Sequence, residues 1–504
     1  MNMQRLIRKL FIFILTILFV SCSVPCINED CFLNKKNIDT TDSVETETFT
    51  QTLENTRGKS LYLVKMNPTS KMVSAINSGY VHSNEIPDIY ENQIYKNTSD
   101  FTVNDNSRFL NFYSKNISRS FRAIDTTQYE IGDTRDFWIM ANDDAIKLEN
   151  IEWQQLDVVL RAKGEHCYIW VPDNYWGNGT NAVSQSIVTN LQEKFDSMYP
   201  RITNVFGYPD NDKNRIHILI FDIFSDSKSR QVFGYFMPKD YGLYEETLRS
   251  NECCMFYLDA FLTRKLPNMA YSTLAHEFQH MINYYNKTLF GDKTESTQTW
   301  FTEMMSMLCE DMLQTFLGIN DNDSPISRME YFNSGYYRNG ISEWQNSQYS
   351  YACVYAFGAY LVRNFGGIRL LEAIAKNKQT NKNAIENGLK ELGYDETFDS
   401  VFLKFSQALI YEDSVNLTFN KEVKEILNGY EYTFKAFNIW KKANGNFPIL
   451  YGPVCFSPAK KFELRPYGFT IHTQNSWQNI TTDTFTLTLS IPKDTKIKYQ
   501  LILK

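Results

Sequence analysis

The chain is short of basic charge, of histidine and of long apolar runs. Its 504 residues carry 51 Lys and Arg against 58 Asp and Glu, a formal net charge of −7. No stretch is locally basic, so nothing is set up to neutralise a phosphate backbone, and charge argues against a nucleic-acid partner. After Val20 no run approaches the roughly 20 apolar residues that a membrane-spanning helix needs. The nine cysteines fall at no zinc-finger spacing. Histidine occurs six times in all, few enough that its placement is informative.

The first 21 residues have the build of a targeting segment. Arg5, Arg8 and Lys9 precede an apolar run from Leu10 to Val20, which is too short to span a bilayer comfortably. The sequence Phe19-Val20-Ser21-Cys22 resembles a relaxed bacterial lipobox. That resemblance implies cleavage before Cys22, diacylation of its thiol, and an exported chain lipid-anchored at the cell envelope or surface. An ordinary secretory signal cut nearby is the plainer alternative. Loss of the three cations would take the formal charge from −7 to about −10. Eight cysteines would remain, an even number that permits disulfides in an exported protein. Cys26 and Cys31 can pair locally, whereas Cys309 and Cys353 lie on apolar helical faces as core thiols. Residues 22–57 are rich in Asn, Asp, Glu and Thr and read as a flexible tether.

Two of the six histidines fall in Leu274-Ala275-His276-Glu277-Phe278-Gln279-His280. At a spacing of four residues, His276 and His280 share one helical face, and Glu277 projects about 100° further round. In this H-E-x-x-H arrangement the histidines hold zinc and the glutamate works on the attacking water. From this composition a chance match is an event on the order of one in a few hundred. Asn268 or Ser272 can cap the helix, and Met269, Ala275, Phe278, Ile282 and Tyr285 supply an apolar stripe. A solvated face carrying His and Glu by accident fits that stripe poorly.

A catalytic zinc site needs a third protein ligand. Asn286 stands where a metzincin would have its third His, and nothing around Asp292 suggests an ordered ligand. The better candidate is Glu303, on a second apolar helix that begins near Thr299 and carries Trp300, Met304, Met307 and Leu308. The intervening loop, residues 287–298, is long enough to turn the chain back antiparallel. Glu310, two turns further along the same face, is the rival ligand or an outer partner.

The run from Leu274 to Asn283, followed by Trp300-Phe301-Thr302-Glu303, resembles the gluzincin metallopeptidases, and among them the hyicolysin family, peptidase family M30. The tyrosine-rich stretch Tyr351 to Leu361, ending at Gly366-Gly367, resembles a helix of that family. The likeness covers roughly residues 165–415. One departure is Met304, where such families usually have Gly. The resemblance implies a zincin-like fold and one catalytic Zn2+, held by His276, His280 and Glu303. Glu277 would be the general base. Tyr351 or Tyr355 would donate to the oxyanion, although either ring could equally be aromatic core. The edge strand of such folds binds an extended peptide by backbone pairing; Met255–Asp259, just before the motif helix, is taken for it. A protein or peptide is the expected substrate.

The remaining patterning gives an α+β chain in which the zincin-like domain is flanked by β-rich domains. Alternating runs at Leu61–Met66, Phe137–Met140 and Asp157–Ala162 suggest a β-rich domain over 58–164. The catalytic domain is expected over 165–415. Four short strand-like runs between Phe462 and Leu503 suggest a C-terminal sandwich over 416–504. His217 sits within the apolar run Arg215–Asp222 and reads as structural. A calcium loop at Asp210–Asn214 finds little support, since it lacks the Gly and Glu of an EF-hand. A monomer is expected. The alternative function is a catalytically silent adhesin or binding lipoprotein on the same scaffold; Glu277 weighs against it, because a pure binder has no need of that carboxylate.

Overall fold

The computed structural model describes residues 45–504 apart from 76–79, 83–124, 126, 142–151, 180–181, 211–213, 224–231, 246, 293, 413–417, 441–451 and 494. The targeting segment, Cys22, Cys26, Cys31, most of the expected tether and the middle of the Asp210–Asn214 turn lie outside the described residues.

Three strands open the described chain, β1 (Thr46–Glu54), β2 (Leu61–Met66) and β3 (Tyr80–His82). Next come β4 (Thr134–Met140), β5 (Trp153–Lys163), β6 (Cys167–Val171), helix α1 (Gln185–Phe206), β7 (Ile216–Phe221), β8 (Gly234–Phe236) and β9 (Met255–Asp259). A helical half follows: α2 (Ala260–Lys265), α3 (Pro267–Asn283), α4 (Thr299–Leu317), α5 (Met329–Gly335), α6 (Gln348–Asn364), α7 (Gly367–Lys376), α8 (Asn381–Glu391) and α9 (Phe398–Ala408). The chain closes with β10 (Val423–Leu427), β11 (Tyr430–Phe434), β12 (Phe469–His472), β13 (Thr484–Pro492) and β14 (Lys498–Leu503).

A six-stranded mixed sheet in the order β4-β5-β6-β7-β9-β8 backs the helices. Its middle strands β6, β7 and β9 run parallel, and β8 returns antiparallel on β9 at the edge. Side chains alternate across it. Ile216, Ile218 and Ile220 of β7 enter the core shared with the helices, whereas Leu219 and Phe221 join an aromatic cluster with Trp170, Tyr235 and Tyr257 on the other face. Both faces are therefore covered, which is why β7 reads as an unbroken apolar run. Gly234 is needed at the edge: a Cβ there would lie 2.7 Å from Tyr257 O and 2.8 Å from Thr273 Cγ2 of α3. Its absence lets β8 press against the motif helix.

The pairing corrects the expected boundaries. β4 and β5 are hydrogen-bonded into the same sheet as β6, so the division at 164 falls inside one sheet. The expected tether becomes strand from Thr46 onward, with β1 paired to β13. β2 lies between β12 and β14, its residues 61–66 all buried. Leu61 and Leu63 face a small core with Trp477, Leu487 and Leu489, and Tyr62, Val64 and Met66 face the main core. The C-terminal strands thus pair with strands from the N-terminal region, in the sheets β1-β13-β3 and β12-β2-β14, and Thr46–Lys504 forms one compact unit. Met255–Asp259 is an inner strand; the edge is Gly234–Phe236. Cys309 and Cys353 are buried free thiols, as expected.

Two buried histidines make stability pH-dependent. His217 accepts from Trp170 Nε1 at 3.2 Å, and His472 is held between Thr470 Oγ1 and Ser457 O, each at 2.9 Å. Burial, with Arg135 for the first and Lys65 for the second, depresses both imidazoles below the ordinary value. The unfolded chain takes up these protons near pH 6.5 and the folded chain only at lower pH, so stability is lost on acidification below about 6.5. Each histidine contributes about 1.4 kcal/mol per pH unit. Thermal melts should therefore show a falling Tm between pH 6.5 and 5; a flat profile there contradicts neutral burial of the pair.

Candidate metal centre

Helix α3 starts with Pro267 at its first position, where the missing N–H costs nothing, rather than at a capping Asn268 or Ser272. From Ser272 onward every residue of it is buried, so His276, Glu277 and His280 are driven inward with the apolar stripe. Helix α4 ends at Gly318 in the left-handed conformation, a usual helix stop. The two helices lie antiparallel, as four contacts in register show. Ser272 and His276 meet Glu310, Gln279 Oε1 accepts from Ser306 Oγ at 2.6 Å, and His280 meets Glu303.

The two Nε2 atoms of His276 and His280 are 3.0 Å apart. Glu303 Oε2 lies 3.2 Å from the first and 3.5 Å from the second. Ligands at about 2.0–2.1 Å around a tetrahedral zinc are separated by about 3.3 Å, so these three atoms match one face of that tetrahedron. Both oxygens of Glu303 are buried without a hydrogen bond, which a carboxylate tolerates poorly unless a cation takes its charge. The triad is the one cluster of three His, Cys, Asp or Glu ligands among the described residues. The donor set fits zinc.

Glu310 stands outside that triad, on the far side of the His276 ring. Its Oε1 is 2.7 Å from His276 Nδ1, and its other oxygen accepts from the Ser272 hydroxyl. A carboxylate on Nδ1 fixes the tautomer that leaves Nε2 with its lone pair towards the metal position. The electrostatics follow from this packing. Burial opposes charge on His276, but its contacts with Glu303 and Glu310 outweigh burial and push it up to about 10. Burial pushes His280 down. Burial would raise the Glu303 carboxyl, yet His280 and His276 hold it at about 2. These opposed shifts belong to groups that share one buried cluster. Glu277 is 0 % exposed, on the same helix as the two imidazoles.

The two tyrosines part company. Tyr355 donates its hydroxyl to Asp311 Oδ2 at 3.1 Å, beside the buried Arg363–Asp311 pair. The ring of Tyr351 packs edge-on against Trp344, with the Arg328 guanidinium over its face. Sequence reasoning missed the Asp311–Arg363 pair, since neither residue stands in a motif. It also missed the three-residue edge strand β8, too short to show an alternation.

The family model for Peptidase M30 matches residues 159–419. The neutral metalloprotease ShpI of Staphylococcus hyicus is 29 % identical over 269 residues, covering 48 % of this chain and 56 % of that protein. The chain therefore spans little more than half the length of this curated relative. Among solved structures, a mutant M1 zinc metallopeptidase from Deinococcus radiodurans is similar over 54 % of this chain and 51 % of its own, at 11 % identity and a TM-score of 0.27.

Proposed function

The chain belongs to the Peptidase M30 family, and from that premise we propose that it is a zinc-dependent endopeptidase with a zincin-like catalytic core. In this reading His276, His280 and Glu303 hold the metal, and Glu277 is the general base. The observation that carries it is the near-tetrahedral placement of three ligand atoms from two helices, 3.0, 3.2 and 3.5 Å apart. Bound there, zinc would supply a Lewis acid that acidifies water and polarises a peptide carbonyl. Glu277 takes the proton from the attacking water and delivers it to the leaving amine nitrogen. Glu310 and Ser272 keep His276 in its working tautomer. The outer edge of β8 offers backbone groups to an extended substrate. The four central side chains are no more than 1 % exposed, so the cleft has to open for a peptide to enter.

The test is metal content together with hydrolysis of casein or gelatin. One zinc per chain and hydrolysis abolished by a chelator are expected. A pure chain that binds zinc but cuts no protein substrate would favour the silent binding lipoprotein. Of the two tyrosines, Tyr351 keeps the oxyanion role. Tyr351→Phe is expected to lower kcat by about 10²-fold with little change in KM, and Tyr355→Phe to lower Tm with kcat nearly intact. The reverse pattern would exchange their roles. Anchoring through Cys22 belongs to the same proposal: the full chain should partition into detergent, and Cys22→Ala should not. Equal partitioning of both would leave only a secretory signal.

A further inference from the structure

The helix carrying His276 and His280 does not stop at Asn283. It runs on through one π-helical segment, Tyr284–Leu289, a rare geometry often retained at functional sites. Within that segment Lys287 is buried, with 2 % of its surface exposed. A lysine so placed normally pairs with a carboxylate. Among the described residues its partners are instead oxygens of one short segment. Its Nζ donates to Ile374 O at 2.7 Å, to Gln379 O at 2.8 Å and to Asn377 O, with Asn377 Oδ1 at 3.4 Å. The segment is the last turn of α7 and the residues just after it, where a helix leaves carbonyls unpaired and carries partial negative charge. Burial draws the Lys287 amine down to about 7, while the surrounding carbonyl dipoles favour its protonated form. An all-oxygen cage of this kind is what a hard cation receives; here the cation is tethered to the motif helix.

The same segment is fastened to the far end of the connection between the ligand helices. Asp292 N donates to Lys378 O at 2.9 Å, and Gln379 Nε2 donates to Asp292 Oδ2 at 2.7 Å. Asn381 Nδ2 donates to Ser296 O at 2.9 Å, and Asn381 Oδ1 accepts from Gln298 N at 2.8 Å. Gln298 is the residue that caps α4, five positions before Glu303. Residues 374–381 therefore act as a splint. One end grips the continuation of the helix that holds the histidines, and the other grips the start of the helix that holds Glu303.

We propose that Lys287 is a tethered cation whose carbonyl cage sets the spacing of the two ligand helices, which makes it a positioning residue for the metal centre. The proposal rests on the zinc reading given above. Lys287→Met keeps most of the stem but leaves several buried carbonyls without a donor, and the splint then loses its hold on α3. Zinc affinity should fall by about 10- to 100-fold, the size found when outer partners of metal ligands are removed. Lys287→Ala leaves room for a small amine. n-Propylammonium should restore zinc affinity in that variant, and uncharged n-propanol should not.

The experiment is chelator competition for zinc on the full chain, wild type beside Lys287→Met and Lys287→Ala, the latter with and without n-propylammonium. Weakened zinc in both variants and rescue by the cation alone are the expected results. Unchanged zinc affinity in Lys287→Met, or rescue by n-propanol as good as by the ammonium ion, overturns the proposal. If Lys287→Met does not fold, the double variant Gln379→Ala/Asn381→Gly decides, since it removes all three side-chain hydrogen bonds by which the splint holds the loop and the start of α4: weaker zinc supports the proposal and unchanged zinc overturns it. A wild-type chain that takes up no zinc overturns the metal-site reading and this proposal together. A zinc-binding wild type beside unaffected variants overturns this proposal alone.

Discussion

Glu277→Gln is expected to lower kcat by about 10²- to 10⁴-fold while the chain still binds one zinc ion. The substitution keeps the shape of the side chain and removes only its ability to take a proton. Glu277 is not one of the three clustered ligands, so the metal should be held as before. Because the position is fully buried, an amide in place of a carboxylate relieves rather than adds desolvation, and Tm should not fall. The decisive comparison is single-turnover peptide hydrolysis beside metal content. A variant with full zinc and more than about a tenth of the wild-type rate would remove the general-base role. A variant without zinc would instead make Glu277 part of the metal's support.

Arg363→Met should destabilise the fold by about 3–5 kcal/mol, the cost of stranding a buried charge. Arg363 and Asp311 are both essentially shut from solvent, joined through Nη1 to Oδ2 at 2.8 Å and Nη2 to Oδ1 at 3.0 Å. The guanidinium also donates to Lys435 O, so α6, α4 and the residue after β11 meet at one fork. With methionine there, the buried Asp311 carboxyl loses both guanidinium bonds and, among the described residues, keeps the Tyr355 hydroxyl beside it. Denaturant melts should show the loss, and the double variant Arg363→Met/Asp311→Leu should recover much of it. A single variant as stable as wild type would mean that the pair breaks even against water. Asp311 directly follows Glu310, but the zinc site should survive below the lowered Tm, because the contacts of Glu303 and Glu310 lie on the neighbouring helix α3.

The candidate metal centre was legible because its information is local. Two histidines four apart in an apolar helix leave little freedom, and a second apolar helix with a carboxylate on its inner face limits the third ligand to Glu303 or Glu310. Choosing between them needed the register of α3 on α4, which the sequence leaves open by two turns. The tyrosines were harder. Tyr351 and Tyr355 are both fully buried on one helix, and only the partner of each side chain separates them. Strand positions were mostly readable from alternation; pairing was not. β1 is polar and exposed along nearly its whole length, so composition made it a tether, and the strand that holds it lies more than 400 residues away. The continuation after Asn283 is π-helical, so the α-helical period read up to Tyr285 no longer says which side chains turn inward, and this hid Lys287.

Strand β2 has its neighbours at the opposite terminus, with Leu61 in register with Leu503. During synthesis this strand lacks its two neighbours until β12 and β14 have been made, more than 400 residues later, and in the interval its apolar faces stay open to misassembly. Proteolytic clipping near residue 495 would strip β14 from a strand buried on both sides. The integrity of this core therefore depends on β12 and β14, and insertions within them are the changes it should tolerate least.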